Sequence, residues 1–156
     1  MKIEIIVDRD KFRRAHLALQ ERLVRAFPGV ETRLCAAAGA APLPSAVSLL
    51  LRLERLVYRR GRETLCDLLP GAQLETQGAG GDIVIDFSSA AGDGRAGSVR
   101  LRPLFDGAGG EAALIGSLAD GRAPQIAIEN VSTGQIVATG LPSLETGDGL
   151  TGAMEA

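Results

Sequence analysis

The chain has 156 residues, 46% of them hydrophobic, a mean hydropathy of +0.14 and a formal net charge of −2. That is enough apolar material for one sizeable core, which excludes a disordered chain and sets the expectation of a single domain over 1–156. There is no run of about 18 apolar residues, and Lys2, Glu4 and Asp8 interrupt the apolar start, so the pattern excludes an ordinary membrane span or signal peptide and implies a soluble, cytoplasmic chain.

The first segment, KIEIIVD (2–8), is β-branched and nearly continuously apolar, the mark of a central strand buried on both faces. From Asp10 onward Phe12, His16, Leu19, Leu23 and Phe27 recur at helical spacing, and Pro28-Gly29 ends the pattern. A second strand is expected over 30–36. Pro42 to Ser45 then opens another helix, whose run AVSLLLRLERLVYRR turns Val47, Leu50, Leu51, Leu53 and Val57 inward until Gly61. The segment CDLLPGAQLETQGAGG is broken by Pro70 and several glycines, so it reads as a connection with a short strand near Gln73. Next come a buried strand DIVIDF (82–87), a strand over 99–103, a helix over 111–120, and a strand pair PQIAIEN and GQIVATGLP joined at 131–133. Strands that alternate with helices before a hairpin specify an α/β three-layer sandwich: a mainly parallel, Rossmann-like sheet with a C-terminal antiparallel hairpin at one edge.

The charges are unevenly placed. Residues 1–62 hold thirteen Lys or Arg against six Asp or Glu, and residues 63–156 hold four against thirteen. Such halves can attract each other within one domain or across a dimer, or mark a nucleic-acid surface; internal attraction is the preferred reading. Arg52, Arg55, Arg59 and Arg62 form a basic stripe on the second helix, best read as a solvated face. Only 3% of residues are aromatic, which argues against single-strand nucleic-acid binding. Cys35 and Cys66 lack metal-ligand spacing and His16 is the sole histidine, so neither a zinc site nor another metal or cofactor is expected.

MKIEIIVD, the buried DIVIDF, the strand-loop-helix VRLRPLFDGAGGEAALIGSLADG and the hairpin PQIAIENVSTGQIVATGLPSL resemble, in this order, the formyltransferase-like domain of glycinamide ribonucleotide and methionyl-tRNA formyltransferases. In that family Asn and His of an N-x-H-P strand, with a hairpin Asp, manage the proton transfers of formyl transfer. Here those positions are Arg100-Leu101-Arg102-Pro103 and Ser132 ahead of Gly134. Arginine stays protonated at working pH and cannot shuttle protons, so the resemblance implies a degenerate relative without formyl transfer. It also implies a module or shortened form of a longer bacterial protein, since LPSLETGDGLTGAMEA approaches a last helix near Asp148.

Residues two apart on a strand share a face, so Arg100 and Arg102 set two guanidinium forks side by side. Asp106, Gly107, Gly109 and Gly110 follow as a tight turn ahead of the helix at Glu111, whose positive end points to the same region. With Asp8 and Asp86 at neighbouring strand ends, these residues are the candidate binding site for a small anionic ligand, a phosphate or carboxylate. The competing reading pairs the arginines with Asp86, Asp106 or Glu111. The leading functional expectation is therefore a non-catalytic domain that binds a small anion or a partner protein. The alternatives are a formyl, acyl or glycosyl transferase using Asp8, Asp86 or Asp106, and a nucleic-acid binder through the Arg52 to Arg62 stripe.

Overall fold

Strand β1 (Lys2–Asp8) is the centre of the fold: its residues from Ile3 to Asp8 are all buried, so it needs a strand on each side and cover on both faces. The computed structural model describes residues 1–37, 49, 53, 65, 67–76, 80–89, 97–120 and 122–142. β1 lies between β2 (Glu31–Ala37) and β4 (Ile83–Asp86), parallel to both. Outside β2 lies the two-residue β3 (Glu75–Thr76), and beyond β4 lies β5 (Val99–Phe105), both again parallel. The antiparallel hairpin of β7 (Ile126–Asn130) and β8 (Gln135–Gly140) completes the order β3-β2-β1-β4-β5-β7-β8. β6 (Ala108–Gly109) pairs antiparallel with the end of β5. The protein is thus α/β with a mixed, mostly parallel sheet and an antiparallel edge, as strand alternation and the short join at 131–133 predict.

Helix α1 (Arg14–Ala26) begins four residues later than its apolar spacing suggests. Residues Arg9–Lys11 form a 3-10 turn first, and Phe12 packs fully buried ahead of the helix rather than on it. The start is set by backbone pairing: Arg14 and Ala15 donate their N–H groups to the carbonyls of Asp67 and Leu65, at 3.0 and 2.8 Å, which satisfies orphan donors of the first turn. At the other end Phe27 leaves helical geometry, with φ −128° and ψ 77°, and is 51% exposed, so it is not part of the inward face. Leu17, Leu19 and Leu23 of α1 pack on Ile5, Val7, Leu34, Ala36 and Leu74. Full burial of a core side chain such as Ile5 or Leu34 contributes about 1.5–3 kcal/mol, and the partly buried leucines of α1 contribute less.

β5 runs two residues further than expected, to Phe105, and helix α2 (Glu111–Ala119) ends at Ala119. The connection before β4 contains a 3-10 turn, Gly71–Gln73, with β3 just after it. Leu53, expected inward, is 48% exposed. Val47, Leu50, Leu51 and Val57, the Arg52, Arg55, Arg59 and Arg62 stripe, Cys66 and the helix expected near Asp148 lie outside the described residues. Cys35 is buried in β2.

Candidate functional site

Register decides what the two arginines do. Ile6 pairs with Asp86 and Val84 with Arg100, so strand alternation places Asp86, Arg100 and Arg102 together on one sheet face. Arg100 donates from Nε and Nη2 to Asp86 Oδ2 at 3.1 and 2.8 Å, and Arg102 donates from Nη2 to the same oxygen at 3.0 Å. Asp86 Oδ1 accepts the Ser88 N–H at 3.0 Å and its hydroxyl at 2.6 Å. The carboxylate is fully buried and Arg100 nearly so. The paired forks expected to hold an external anion hold Asp86 instead, because burial beside a neighbouring strand's carboxylate supplies that anion from within.

The glycine-rich loop is likewise a folded element. Asp106 and Gly107 have φ of 50° and 81°, the positive pair that a two-residue type I′ hairpin turn requires, and they join β5 to β6. The Asp106 carboxylate accepts the Ser117 hydroxyl and the Gln125 N–H, which hold it below its ordinary pKa, with Arg122 adding to the effect. Gly109 lies against Arg102, where an added Cβ would stand 3.2 Å from Arg102 Cδ. Only Gly110 and Asp8 of the expected ligand-binding residues line the cavity described next. Ser132, at the hairpin position of the family's Asp, donates its backbone N–H to Asn130 in an exposed turn.

On the opposite face, a cleft of about 320 Å³ opens at the carboxyl ends of β1, β4 and β5. Its apolar floor is Val7, Phe87, Pro103, Phe105 and Ile126; Leu19 of α1 and Leu114 of α2 form walls. The chain passes from β1 to β2 and β3 on one side, then returns to β4 on the other, so β1 and β4 form a topological switch point. Crevices at such points are where open α/β sheets take ligands.

Charged groups ring this apolar floor. Lys11 Nζ, almost wholly buried, binds Asp8 Oδ2 at 3.2 Å and Ser89 Oγ at 2.8 Å. Ser89 also donates its N–H and hydroxyl to Asp8, so the end of β1 is fastened to the segment after β4. Asp8 and Asp86 therefore serve separate partners rather than forming a carboxylate pair. Arg13, ahead of α1, reaches Glu111 at the start of α2, with Nε 2.7 Å from Oε1. Arg13 is buried and Glu111 mostly so, at 8% and 14% side-chain exposure, and Glu111 Oε2 has no hydrogen-bond partner.

His16 lies at the third position of α1, where its Nδ1 accepts the Arg13 N–H at 3.0 Å and its own N–H donates to the Arg13 carbonyl. His16 thus fills the part of the capping Glu or Gln, accepting the N-cap N–H, while the Arg13 backbone carbonyl takes the place of an N-cap side-chain acceptor. Phe12 stacks on the ring and Phe87 meets it at a tilt, with centroids 6.2 and 5.3 Å away. Burial, and then the Arg13 charge, push its pKa down to about 4. The ring is neutral near pH 7, and with Nδ1 accepting, the proton is on Nε2.

Among the described residues, no group of three or more His, Cys, Asp or Glu is placed to hold a metal ion, and no helix is long and apolar enough to cross a membrane. No family model, curated protein or solved structure matches the chain. The cleft therefore has to be read from its own chemistry. Lys11, Arg13 and Glu111 were not singled out as site residues from sequence, since their pairing depends on tertiary structure: Arg13 and Glu111 are 98 positions apart. The one available signal was their position next to predicted strand ends and helix starts.

Proposed function

We propose that this protein is a binding domain of formyltransferase-like, three-layer architecture that has lost formyl transfer, and that it takes a small molecule in the cleft at the ends of β1, β4 and β5. The observation that carries the reading is the cleft itself: an apolar floor at the switch point, ringed by the fixed groups Asp8, Lys11, His16 and Glu111. An apolar cavity with a few convergent polar groups is the common form of a small-molecule site. Loss of formyl transfer is supported by the positions where the resemblance calls for Asn and His. They hold Arg100 and Arg102, both bound to Asp86, and neither group can relay a proton.

A thermal-shift screen of small neutral, anionic and cationic compounds tests this, since a ligand of the native state raises stability. Leu114→Trp fills the cleft and serves as the control. We expect compounds that stabilise the wild type and not Leu114→Trp, and no turnover of a formyl-folate donor. Stabilisation equal in both proteins would place the site elsewhere. Protein-dependent formyl transfer would overturn the non-catalytic assignment.

A further inference from the structure

We propose that the cleft takes an uncharged, mainly hydrocarbon ring compound and discriminates against anions and cations of the same skeleton. The inference rests on the cleft being the ligand site and names the class of molecule that fits it. Space comes first. A dry cavity of about 150 Å³ accommodates one benzene ring, so the cleft, at about 320 Å³, has room for about two fused rings. The lining matches in chemistry. Val7, Leu19, Phe105, Leu114 and Ile126 are apolar. Phe87 and the His16 ring, which also line the cleft, add an aromatic pair with centroids 5.3 Å apart, the kind of surface that a flat ring meets stacked or edge-on.

Charge then separates the neighbouring classes. Of the described residues that line the cleft, Asp8, Lys11, Arg13, His16 and Glu111 are titratable. Each charge among them is already answered within the protein. Lys11 Nζ stands 3.2 Å from Asp8 Oδ2, and the same carboxylate accepts the N–H and hydroxyl of Ser89. Arg13 is bound to Glu111. His16 is neutral at pH 7, because burial and the neighbouring Arg13 charge hold its pKa at about 4. The formal charges of the lining therefore sum to zero, and neither sign is left over for a ligand. An ion entering the cleft would give up hydration beside hydrocarbon and gain no counter-charge, whereas an uncharged ring gives up only the water on its apolar surface.

Three probes on one skeleton separate these cases: naphthalene, 2-naphthoate and 2-naphthylmethylammonium, each titrated against the whole chain at pH 7 while the methyl signals of Leu19 and Leu114 are followed by NMR. Naphthalene is expected to bind at least about tenfold more tightly than either ion, a margin of about 1.4 kcal/mol. Glu111→Gln takes one negative charge out of the lining and leaves the Arg13 charge in excess. It should narrow the gap between naphthalene and 2-naphthoate by about threefold, the scale of one partly screened ion pair, and not narrow the gap to the cation. If Glu111→Gln does not fold, the wild-type order of the three probes decides alone. Equal binding of all three, or preference for either ion, would refute the uncharged class and leave the cleft a ligand site. A folded Glu111→Gln with an unchanged gap would refute the charge balance as the source of the selection. No response of the Leu19 and Leu114 methyls to any probe would remove the cleft reading as well.

Discussion

Asp86→Asn tests the clearest reassignment made by the structure, that Arg100 and Arg102 serve the fold and not an external anion. Asp86 is 0% exposed and accepts from five donors: the Ser88 N–H and hydroxyl, Arg100 Nε and Nη2, and Arg102 Nη2. Asparagine keeps the shape but removes the charge, leaving two guanidinium groups, 7% and 18% exposed, around a neutral amide. Removing one partner of a buried ion pair costs about 3–5 kcal/mol. In a chain of this size that lowers Tm by roughly 6–20 °C. Arg102→Met should cost less, about 1–2 kcal/mol, because Arg100 and Ser88 still serve the carboxylate. Urea unfolding of both single variants and the double variant gives the coupling, expected above about 1 kcal/mol. Phosphate supplies a second reading: at constant ionic strength it should leave wild-type Tm unmoved and raise that of Asp86→Asn, where an anion can replace the lost carboxylate. An Asp86→Asn protein within about 1 kcal/mol of wild type at an unchanged m-value, or a wild type specifically stabilised by phosphate, would refute the reasoning.

The depressed His16 pKa predicts a pH dependence. Below 6.5 the unfolded chain takes up a proton that the folded ring refuses until about 4, so stability falls as pH drops through that window, by about 3 kcal/mol in full. His16→Gln keeps an acceptor for the Arg13 N–H and should lose this part of the slope; identical slopes in urea titrations from pH 7 to 4 would contradict the burial argument. Gly107→Ala should cost about 1 kcal/mol, since φ is +81° and nothing lies within 4 Å of an added Cβ. Gly81→Ala should cost more, about 1–3 kcal/mol, because its Cβ would meet Ile83 O, Lys2 O and Glu4 N at 2.9, 3.0 and 3.1 Å. Thermal melts rank the two, and the reverse order would show that the start of β1 and β4 has room to yield.

Much of the architecture was legible because burial writes itself into composition. β1 and β4 are short apolar runs, and the β7–β8 hairpin shows as two such runs around a short polar turn. β6 is not legible as a strand: Ala108 and Gly109 carry no alternation, and the sign of the hairpin is the Asp106-Gly107 pair, which the sequence presents only as part of a tight turn leading to the helix. The face shared by Arg100 and Arg102 followed from strand alternation. Their partner required the β4–β5 register, which fixes Asp86 beside them and which no local pattern reveals. The bond from the Arg13 N–H to His16 depends on a helix start displaced to Arg14 by the carbonyls of Leu65 and Asp67, which no local pattern reveals.

The charge asymmetry of the sequence finds part of its explanation at the same place. Arg13 from the basic half meets Glu111 from the acidic half, and Arg33 of β2 faces Glu75 of β3 in the same sense, at 3.7 Å. The second pair is exposed and contributes little. The first is largely withdrawn from water, where two charges gain stability over an apolar pair only with good geometry and complete hydrogen bonding. Glu111 Oε2 lacks that completion, so packing alone does not account for the pair. What the pair does fix is position: it ties the residue ahead of α1 to the first turn of α2 across the cleft, while Lys11, Asp8 and Ser89 tie β1 to the segment after β4. Two polar clasps hold the rim of an apolar floor at the switch point. Stability would favour replacing these groups with hydrocarbon; holding the walls of a cavity at set positions requires keeping them.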